Sequence, residues 1–201
     1  MTEARCMAAR LGALLLASAL AGCATTTPAR FYTLTPQATP PAAPPLAGRT
    51  ILVGPFELPA YLDRPQMAVR TEDGEIRLRE FERWAEPLEE AFMRTFTADL
   101  IAATGTEQVL AVPIPQRLAA DYRVMARVAR FDVDQAGEAV LVVQWYASDQ
   151  DGRVLLAPRQ GTFRRAAGAA APAEKRVAAL SGTIADFAAA VAGSLAGLPA
   201  P

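Results

Sequence analysis

The spacing of apolar residues predicts several strands in the first half of the chain. Thr50 to Phe56 is almost continuously apolar, which is typical of a strand buried on both faces. Between Glu75 and Arg79, apolar and charged residues alternate, as in a strand with one buried face. The Glu-Asp-Gly turn at 72–74 precedes this segment and predicts a hairpin with a strand at Met67 to Arg70.

The second half contains three long alternating segments without an intervening helical pattern. They run over Asp121 to Asp134, Glu138 to Ser148 and Arg153 to Arg165. Short turns rich in Gly, Asp and Gln separate them, and such turns favour antiparallel neighbours. The pattern therefore predicts an antiparallel meander.

Two segments have the apolar spacing of a helix instead. The first begins near Glu86-Pro87 and ends before Gly105, because proline suits a first helical turn and glycine suits a helix end. The second follows an Ala/Gly/Pro run and is amphipathic, with a face that we expect to pack on the sheet. Its apolar positions recur every three or four residues: Val177, Leu180, Ile184, Phe187, Val191 and Leu195.

Together these elements predict one α/β (α+β-like) domain over residues 31–198. Its mixed sheet would end in the meander and be covered by two main helices. Phe31 to Leu34 is a short β-prone run, followed by a Pro-rich stretch at 35–48. That stretch is either a stalk or a loop. We favour a loop, with Phe31 to Leu34 already a strand of the domain, because exposed aromatic residues on a tether are costly.

The N-terminus has the pattern of a lipoprotein signal peptide over residues 1–22. Basic residues precede an apolar run of ten residues, Leu11 to Leu20, which is too short to span a bilayer. Leu-Ala-Gly-Cys ends this run and resembles a bacterial lipobox, which predicts that the chain is cut before Cys23 and that Cys23 is acylated. Residues 23–30 would form a lipidated tether. Ala24 after the cysteine, in place of Asp, indicates the outer membrane, with the domain facing the periplasm.

Composition excludes most catalytic chemistry. The chain has no histidine, which removes Ser-His and Cys-His catalysis and histidine metal sites. No serine lies in a Gly-x-Ser-x-Gly context, and no phosphate-binding glycine loop is present. A net charge of −1 without a basic run gives no basis for nucleic-acid binding. We therefore predict no enzyme activity, no cofactor and no metal, and we interpret the Asp132/Asp134 and Asp149/Asp151 pairs as solvated edges.

The stretch from Leu58 to Leu88 is unusually dense in charged and aromatic residues. Pro59 and Pro65 rule out regular structure between them. We expect Tyr61 and Leu62 to tuck inward.

The charges of this stretch allow two interpretations. Asp63 could cap a turn, and Arg64 could pair with Glu82 or Glu86. Either the charges bind one another, or the loop and the helix start form a surface for a partner, since arginine and aromatic residues are favoured there.

The order of motifs resembles a known family. Phe-Tyr-x-Leu follows the lipobox, then Leu-Pro-x-Tyr-Leu-Asp-Arg-Pro-Gln, then Arg-Trp-Ala-Glu-Pro-Leu opening a helix. This arrangement resembles the ABC-type transport auxiliary lipoproteins of the PqiC/YmbA type, over nearly the whole chain after Cys23. The motif positions that we carry over, with no assigned role, are Tyr61, Asp63, Arg64, Pro65, Gln66, Arg70, Arg83, Trp84 and Glu86.

The resemblance implies a non-catalytic, periplasm-facing outer-membrane lipoprotein. Its partners would be an MCE-domain protein and inner-membrane transporter components of a system that moves lipids between the two membranes. We expect the unit from Tyr61 to Glu86 to dock such a partner or a neighbouring copy, which would give a homo-oligomer. The alternative is a general envelope scaffold that binds peptidoglycan or another periplasmic protein.

Overall fold

A computed structural model of the chain describes residues 27–37, 46–114 and 118–198. The predicted signal peptide, Cys23 and most of the Pro-rich stretch lie outside these ranges. The described residues form one sheet of eight strands with two main helices. The predicted fold class, a single domain with a mixed sheet and two covering helices, is confirmed.

The elements have the following bounds. The strands are β1 (Arg30–Tyr32), β2 (Ile51–Glu57), β3 (Gln66–Arg70), β4 (Ile76–Trp84), β5 (Val109–Ala111), β6 (Tyr122–Asp134), β7 (Glu138–Ser148) and β8 (Val154–Ala166). The main helices are α1 (Leu88–Thr104) and α2 (Ala173–Ala196), and a single 3-10 turn covers Ala60–Leu62.

Strand β6 is the centre of the sheet. Along one edge it pairs with β7 in antiparallel register, from Arg123 to Val133. On the other edge β2 runs parallel to its first half, and β3 runs parallel to its last two residues. Residues 58–65 connect β2 to β3, so the chain leaves this edge of β6 and then returns to it.

The outer strands complete the sheet on both sides. β8 pairs with β7, which makes β6, β7 and β8 the predicted antiparallel meander. β4 pairs with β3 as the predicted hairpin, and β1 joins β4 in parallel register, with Tyr32 beside Trp84. The run at Phe31 therefore belongs to the sheet, as the loop interpretation of the Pro-rich stretch requires.

Both helices pack on the same face of the sheet. α1 contacts β2 and β5, and α2 contacts β6, β7 and β8. The core between them is built on phenylalanine rings, with centroids 5.0 Å apart for Phe56 and Phe96 and 4.7 Å for Phe96 and Phe187. Within the described residues, α2 is the one helix long and apolar enough to cross a membrane. However, 67% of its most apolar window is buried, as in a core helix.

Two boundaries differ from the prediction. β4 continues to Trp84, so Arg83 and Trp84 end a strand instead of opening a helix. α1 begins at Leu88, and Pro87 is the residue just before it, with an extended ψ of 130°. The reason is the pairing of this segment with β1 and with the loop: Trp84 donates its N–H to Pro65 O at 2.6 Å. Gly105 ends α1 in the left-handed region, as predicted.

The first residues of the Pro-rich stretch are tied to both helices. Thr35 N donates to Ser181 Oγ of α2 at 3.2 Å, and Gln37 N donates to Asp99 Oδ1 of α1 at 2.8 Å. Asp99 is buried, and its Oδ2 has no partner among the described residues. Burial raises the pKa of Asp99 to about 6, although the Gln37 N–H opposes the rise.

The raised pKa of Asp99 predicts a pH-dependent stability. The Asp99 carboxyl holds its proton more tightly in the folded state than in the unfolded state. This difference adds to the free energy of unfolding in full below about pH 4, and the addition is lost as pH rises through about 6. The shift corresponds to about 3 kcal/mol. Urea unfolding over this range should show the loss in the native chain but not in Asp99→Asn, whose carbonyl oxygen still accepts from Gln37. The exposed turn variant Asp73→Asn is the control and should retain the loss.

Alanine substitutions at two glycines with positive φ distinguish the cost of backbone strain from the cost of steric crowding. Gly137 has φ 79° and Gly152 has φ 84°, so alanine is strained at both. A Cβ at Gly137 would collide with the backbone of Gly168, whereas at Gly152 it would meet no atom within 4 Å. We expect Gly137→Ala to lower the free energy of unfolding by about 1–3 kcal/mol more than Gly152→Ala. Equal losses in urea unfolding would contradict the crowding.

Candidate partner-binding surface

The loop between β2 and β3 is held in one conformation by its backbone. Leu62 N donates to Pro59 O at 2.9 Å and Asp63 N donates to Ala60 O at 3.2 Å, which makes the single 3-10 turn. Pro59 and Pro65 bracket it, as the sequence indicated. Leu62 is buried in the core, so the predicted inward anchor is confirmed.

The loop is fixed to β6 by a buried carboxylate. Tyr61 Oη donates to Asp132 Oδ2 at 2.9 Å, and Arg70 donates to the same oxygen through Nε at 3.0 Å and Nη2 at 2.9 Å. Arg130 Nε donates to Asp132 Oδ1 at 2.8 Å. The guanidinium of Arg70 also lies 5.3 Å from the centre of the Tyr61 ring.

The interpretation of Asp132 as a solvated edge residue is wrong, because only 1% of the residue is exposed. The β2–β3 loop crosses this part of β6 and shields the carboxylate from water. Phe131 N, which has no β2 or β3 partner at this position, lies 3.5 Å from Tyr61 Oη as a donor. One side chain thus bonds both the carboxylate and the unpaired edge of the strand.

The electrostatics of this cluster follow from burial and from Asp132. Burial raises the pKa of Tyr61, and the charge and hydrogen bond of Asp132 raise it further, so Tyr61 remains a donor. Burial would lower the pKa of Arg70, but the hydrogen bond and charge of Asp132 outweigh it, and the pKa is raised. The carboxylate of Asp132 thus accepts hydrogen bonds from three side chains, those of Tyr61, Arg70 and Arg130.

Two further carboxylates are satisfied within the domain. Glu82 accepts from Arg79 at 2.8 and 3.0 Å and from Arg176 of α2 at 3.2 Å. The hydrogen bond from Arg79 lowers the pKa of Glu82, against the effect of burial. Glu86 accepts from Arg94 at 2.6 Å and also from Thr33 Oγ1. These two donors, Arg94 first, lower the pKa of Glu86.

The expected pairing of Arg64 with Glu82 or Glu86 is therefore wrong. Both glutamates are occupied by other arginines, which lie on β4, α1 and α2. Asp63, Arg64 and Pro65 are exposed. The Asp63 and Arg64 side chains make no hydrogen bond or ion pair within the described part of the chain. Asp63 ends the 3-10 turn through its backbone N–H, and its carboxylate caps nothing there.

Grooves lie on both sides of this exposed tip. One, of about 330 Å³, runs between Arg64 and Pro87 over Trp84, and the other, of about 490 Å³, runs between Leu58 and Glu89. Asp63, Pro87 and Leu88 line both grooves. We call Asp63, Arg64, Pro65 and Pro87 the docking surface.

Comparison with protein families gives this geometry a context. The sequence model of a family described as "ABC-type transport auxiliary lipoprotein component" matches residues 32–192. The chain belongs to this family. The match confirms the resemblance inferred from the sequence motifs, and the family is one of transport components and not of enzymes. Comparison with curated proteins found no match.

Solved structures share the fold of this family member. A protein from Xanthomonas campestris, of the family DUF330, superposes with a TM-score of 0.66 at 22% identity, covering 82% of this chain and 93% of that one. An uncharacterized protein gives 0.64 at 20% identity, covering 84% and 99%. A PelC dodecamer from Paraburkholderia phytofirmans gives only 0.37 at 19% identity, covering 74% and 92%. An overlap that low says nothing about assembly here.

The nine motif positions of this family member divide into two groups. Most are structural. Tyr61 and Arg70 hold Asp132, Gln66 reaches Glu80 Oε2 at 3.4 Å, and Arg83 Nε donates to Glu80 O at 2.9 Å. Glu86 is held by Arg94, and Trp84 is 6% exposed, at the floor of the groove. The exposed group is Asp63, Arg64 and Pro65.

Sequence reasoning missed several of the residues that hold the unit together. It considered Asp132 only as a solvated edge residue, and it did not single out four donors: Arg130, Arg79, Arg94 and Arg176. They come from β4, β6, α1 and α2, so most are distant in sequence from the motif. The local signal was the spacing of Arg130 and Asp132, which are two residues apart on β6 and form an ion pair.

The Asp132 cluster predicts that removing this buried carboxylate destabilises the domain far more than removing an exposed one. Asp132→Ala leaves Arg70 and Arg130 without their shared acceptor, and we expect it to cost about 3–5 kcal/mol in urea unfolding. Glu57→Ala is the matched control, because it breaks an exposed pair with Arg127 at 2.7 Å and should cost no more than about 1 kcal/mol. A similar small loss for both variants would show that the cluster is not needed for the fold.

Proposed function

We propose that this chain is a non-enzymatic, lipid-anchored subunit of an envelope transport system that moves lipids between the inner and outer membranes. Its partners would be an MCE-domain protein and the inner-membrane components of an ABC-type transporter. The observation that carries the proposal is the family match over residues 32–192. The MCE partner and the lipid cargo are the finer part of the proposal and follow from the resemblance of the sequence motifs.

The anchor in this proposal is Cys23, which lies outside the described residues. Cleavage before Cys23 and acylation of its thiol and new amino group would hold the domain permanently at a membrane. Ala24 after it supports the outer membrane, with the domain in the periplasm. Residues 1–22 would be removed as the signal peptide, and residues 23–30 would form the tether.

The domain would act as a binding component. The buried charges around Asp132, Glu82 and Glu86 already have partners within the domain, whereas Asp63 and Arg64 keep their charges in solvent. An arginine beside proline and apolar groove walls, on a loop held rigid from beneath, is well suited to a protein partner.

The test is purification of the native-level, full-length chain from membranes in a mild detergent. The proposal expects an MCE-domain protein and a permease to co-purify with it. The Cys23→Ser chain should leave the membrane fraction. Recovery of the membrane-anchored chain alone, or with isolated cell wall, would instead favour the scaffold that binds peptidoglycan.

Arg64→Ala tests the docking surface directly. Because the Arg64 side chain is exposed and unpaired within the described residues, its removal should leave the unfolding midpoint unchanged but strongly reduce recovery of the MCE-domain protein. Arg159→Ala is the matched control, because Arg159 is an exposed arginine on β8 whose side chain makes one long hydrogen bond, 3.4 Å to Ser194 Oγ. Normal recovery with Arg64→Ala would exclude this arginine from the interface. Trp84 is unsuitable for this test, since it is buried.

A further inference from the structure

Two exposed phenylalanines lie on neighbouring strands at the edge where the chain enters the domain. Phe31 of β1 is 63% exposed and Phe81 of β4 is 47% exposed. In the parallel register Phe31 lies beside Arg83, and Phe81 is two residues before Arg83. We call these two residues the Phe31–Phe81 patch. Aromatic side chains of this size are seldom left in water at adjacent positions without a partner.

Both rings point away from the helices. Arg30 and Tyr32, on either side of Phe31, contact Glu174 of α2. Since successive side chains of a strand alternate between faces, Phe31 points to the opposite face. Phe81 lies where β4 bulges against β3, between Arg79 and Arg83, and its exposure places its ring outside the core. The patch therefore lies outside the core.

The length of the tether limits where this edge can lie. Six residues lie between Cys23 and Arg30, and the seven steps of a fully extended chain from one to the other span at most about 25 Å. This step rests on the proposed acylation of Cys23. Given that anchor, β1 is the part of the sheet that is tethered most closely to the bilayer, and its exposed ring is beside the tether.

Charge does not provide the attraction at this edge. Arg77 pairs with Glu75 at 3.0 Å, and Arg83 is within 3.8 Å of Glu80. Arg30, next to Phe31, is paired with Glu174 in the same way. The arginines named here are thus balanced by glutamates. Contact with a membrane would depend on apolar burial of the rings, as for phenylalanine on interfacial helices.

We propose that the Phe31–Phe81 patch inserts into the interfacial region of the bilayer beside the acylated Cys23. The patch then acts as a second contact that fixes the orientation of the domain, which a flexible acyl anchor alone does not do. The occupant is the lipid surface, at the depth of the glycerol and upper acyl groups.

Tryptophan quenching by brominated lipids tests this contact. The mature, acylated chain is reconstituted in phosphatidylethanolamine–phosphatidylglycerol vesicles whose acyl chains carry bromine. Phe31→Trp and Phe81→Trp report on the patch. Val154→Trp is the matched control, because Val154 is 55% exposed and lies on β8, away from β1 in the sheet. Trp84 and Trp145 are buried and give the same background in each chain.

The proposal expects strong quenching for Phe31→Trp and Phe81→Trp, little for Val154→Trp, and no loss of the difference at high salt. Quenching at the level of the Val154→Trp control, in chains that float with the vesicles, would overturn the patch contact and leave the anchor intact. If the native chain fails to float, the acylation of Cys23 is wrong, and both proposals fall. Cys23→Ser should abolish flotation and all quenching.

Discussion

The structure depends on one edge of β6, which β2 and β3 share. β6 gives its full length to β7 on one side, but on the other side it is divided between β2 and β3. Between them the chain must leave the edge, and a gap of this kind exposes backbone donors and a buried polar side chain. Tyr61 closes the gap by bonding Phe131 N–H and Asp132 together. The loop, and the surface at its tip, exist because this gap has to be closed.

The buried carboxylate is better understood as a device for specificity than for stability. A buried ion pair gains little over apolar residues of the same volume, because desolvation offsets the attraction. What Asp132 does provide is a single acceptable arrangement: Tyr61, Arg70 and Arg130 must all reach it. A loop that slipped by one residue would leave a charge unpaired. The exposed tip is therefore held in one arrangement, although the side chains of Asp63 and Arg64 make no hydrogen bond or ion pair among the described residues.

The sequence predicted those parts of the fold that depend on local pattern. The alternation in β7 places its ends at Glu138 and Ser148, as observed, and Gly105 ends α1 as expected. These features depend on residues a few positions apart.

The burial of Asp132 could not be predicted from the sequence. Strict alternation from Tyr122 to Val128 would place Asp132 on the core face, but the irregularity between Val128 and Arg130 puts Phe131 there instead, against Phe92. The burial of Asp132 then depends on a loop some 70 residues earlier that crosses over it. The same reason explains the error at Arg64. Its nearest glutamates in the motif were occupied by Arg79, Arg94 and Arg176, and proximity in sequence does not decide between competing donors.

The parallel pairing of β1 and β4 relates the two proposed contacts to each other. Arg30 is level with Glu82, and Pro87 of the docking surface follows five residues later, about 17 Å at most along an extended chain. The tether therefore enters at one end of this strand pair and the docking surface lies at the other end. With the Phe31–Phe81 patch at the bilayer, Arg64 and Pro87 would face the periplasm just above the headgroups. A partner that reaches the docking surface would then also be brought close to the membrane, so the position of the anchor would help to select the partner as much as the groove does.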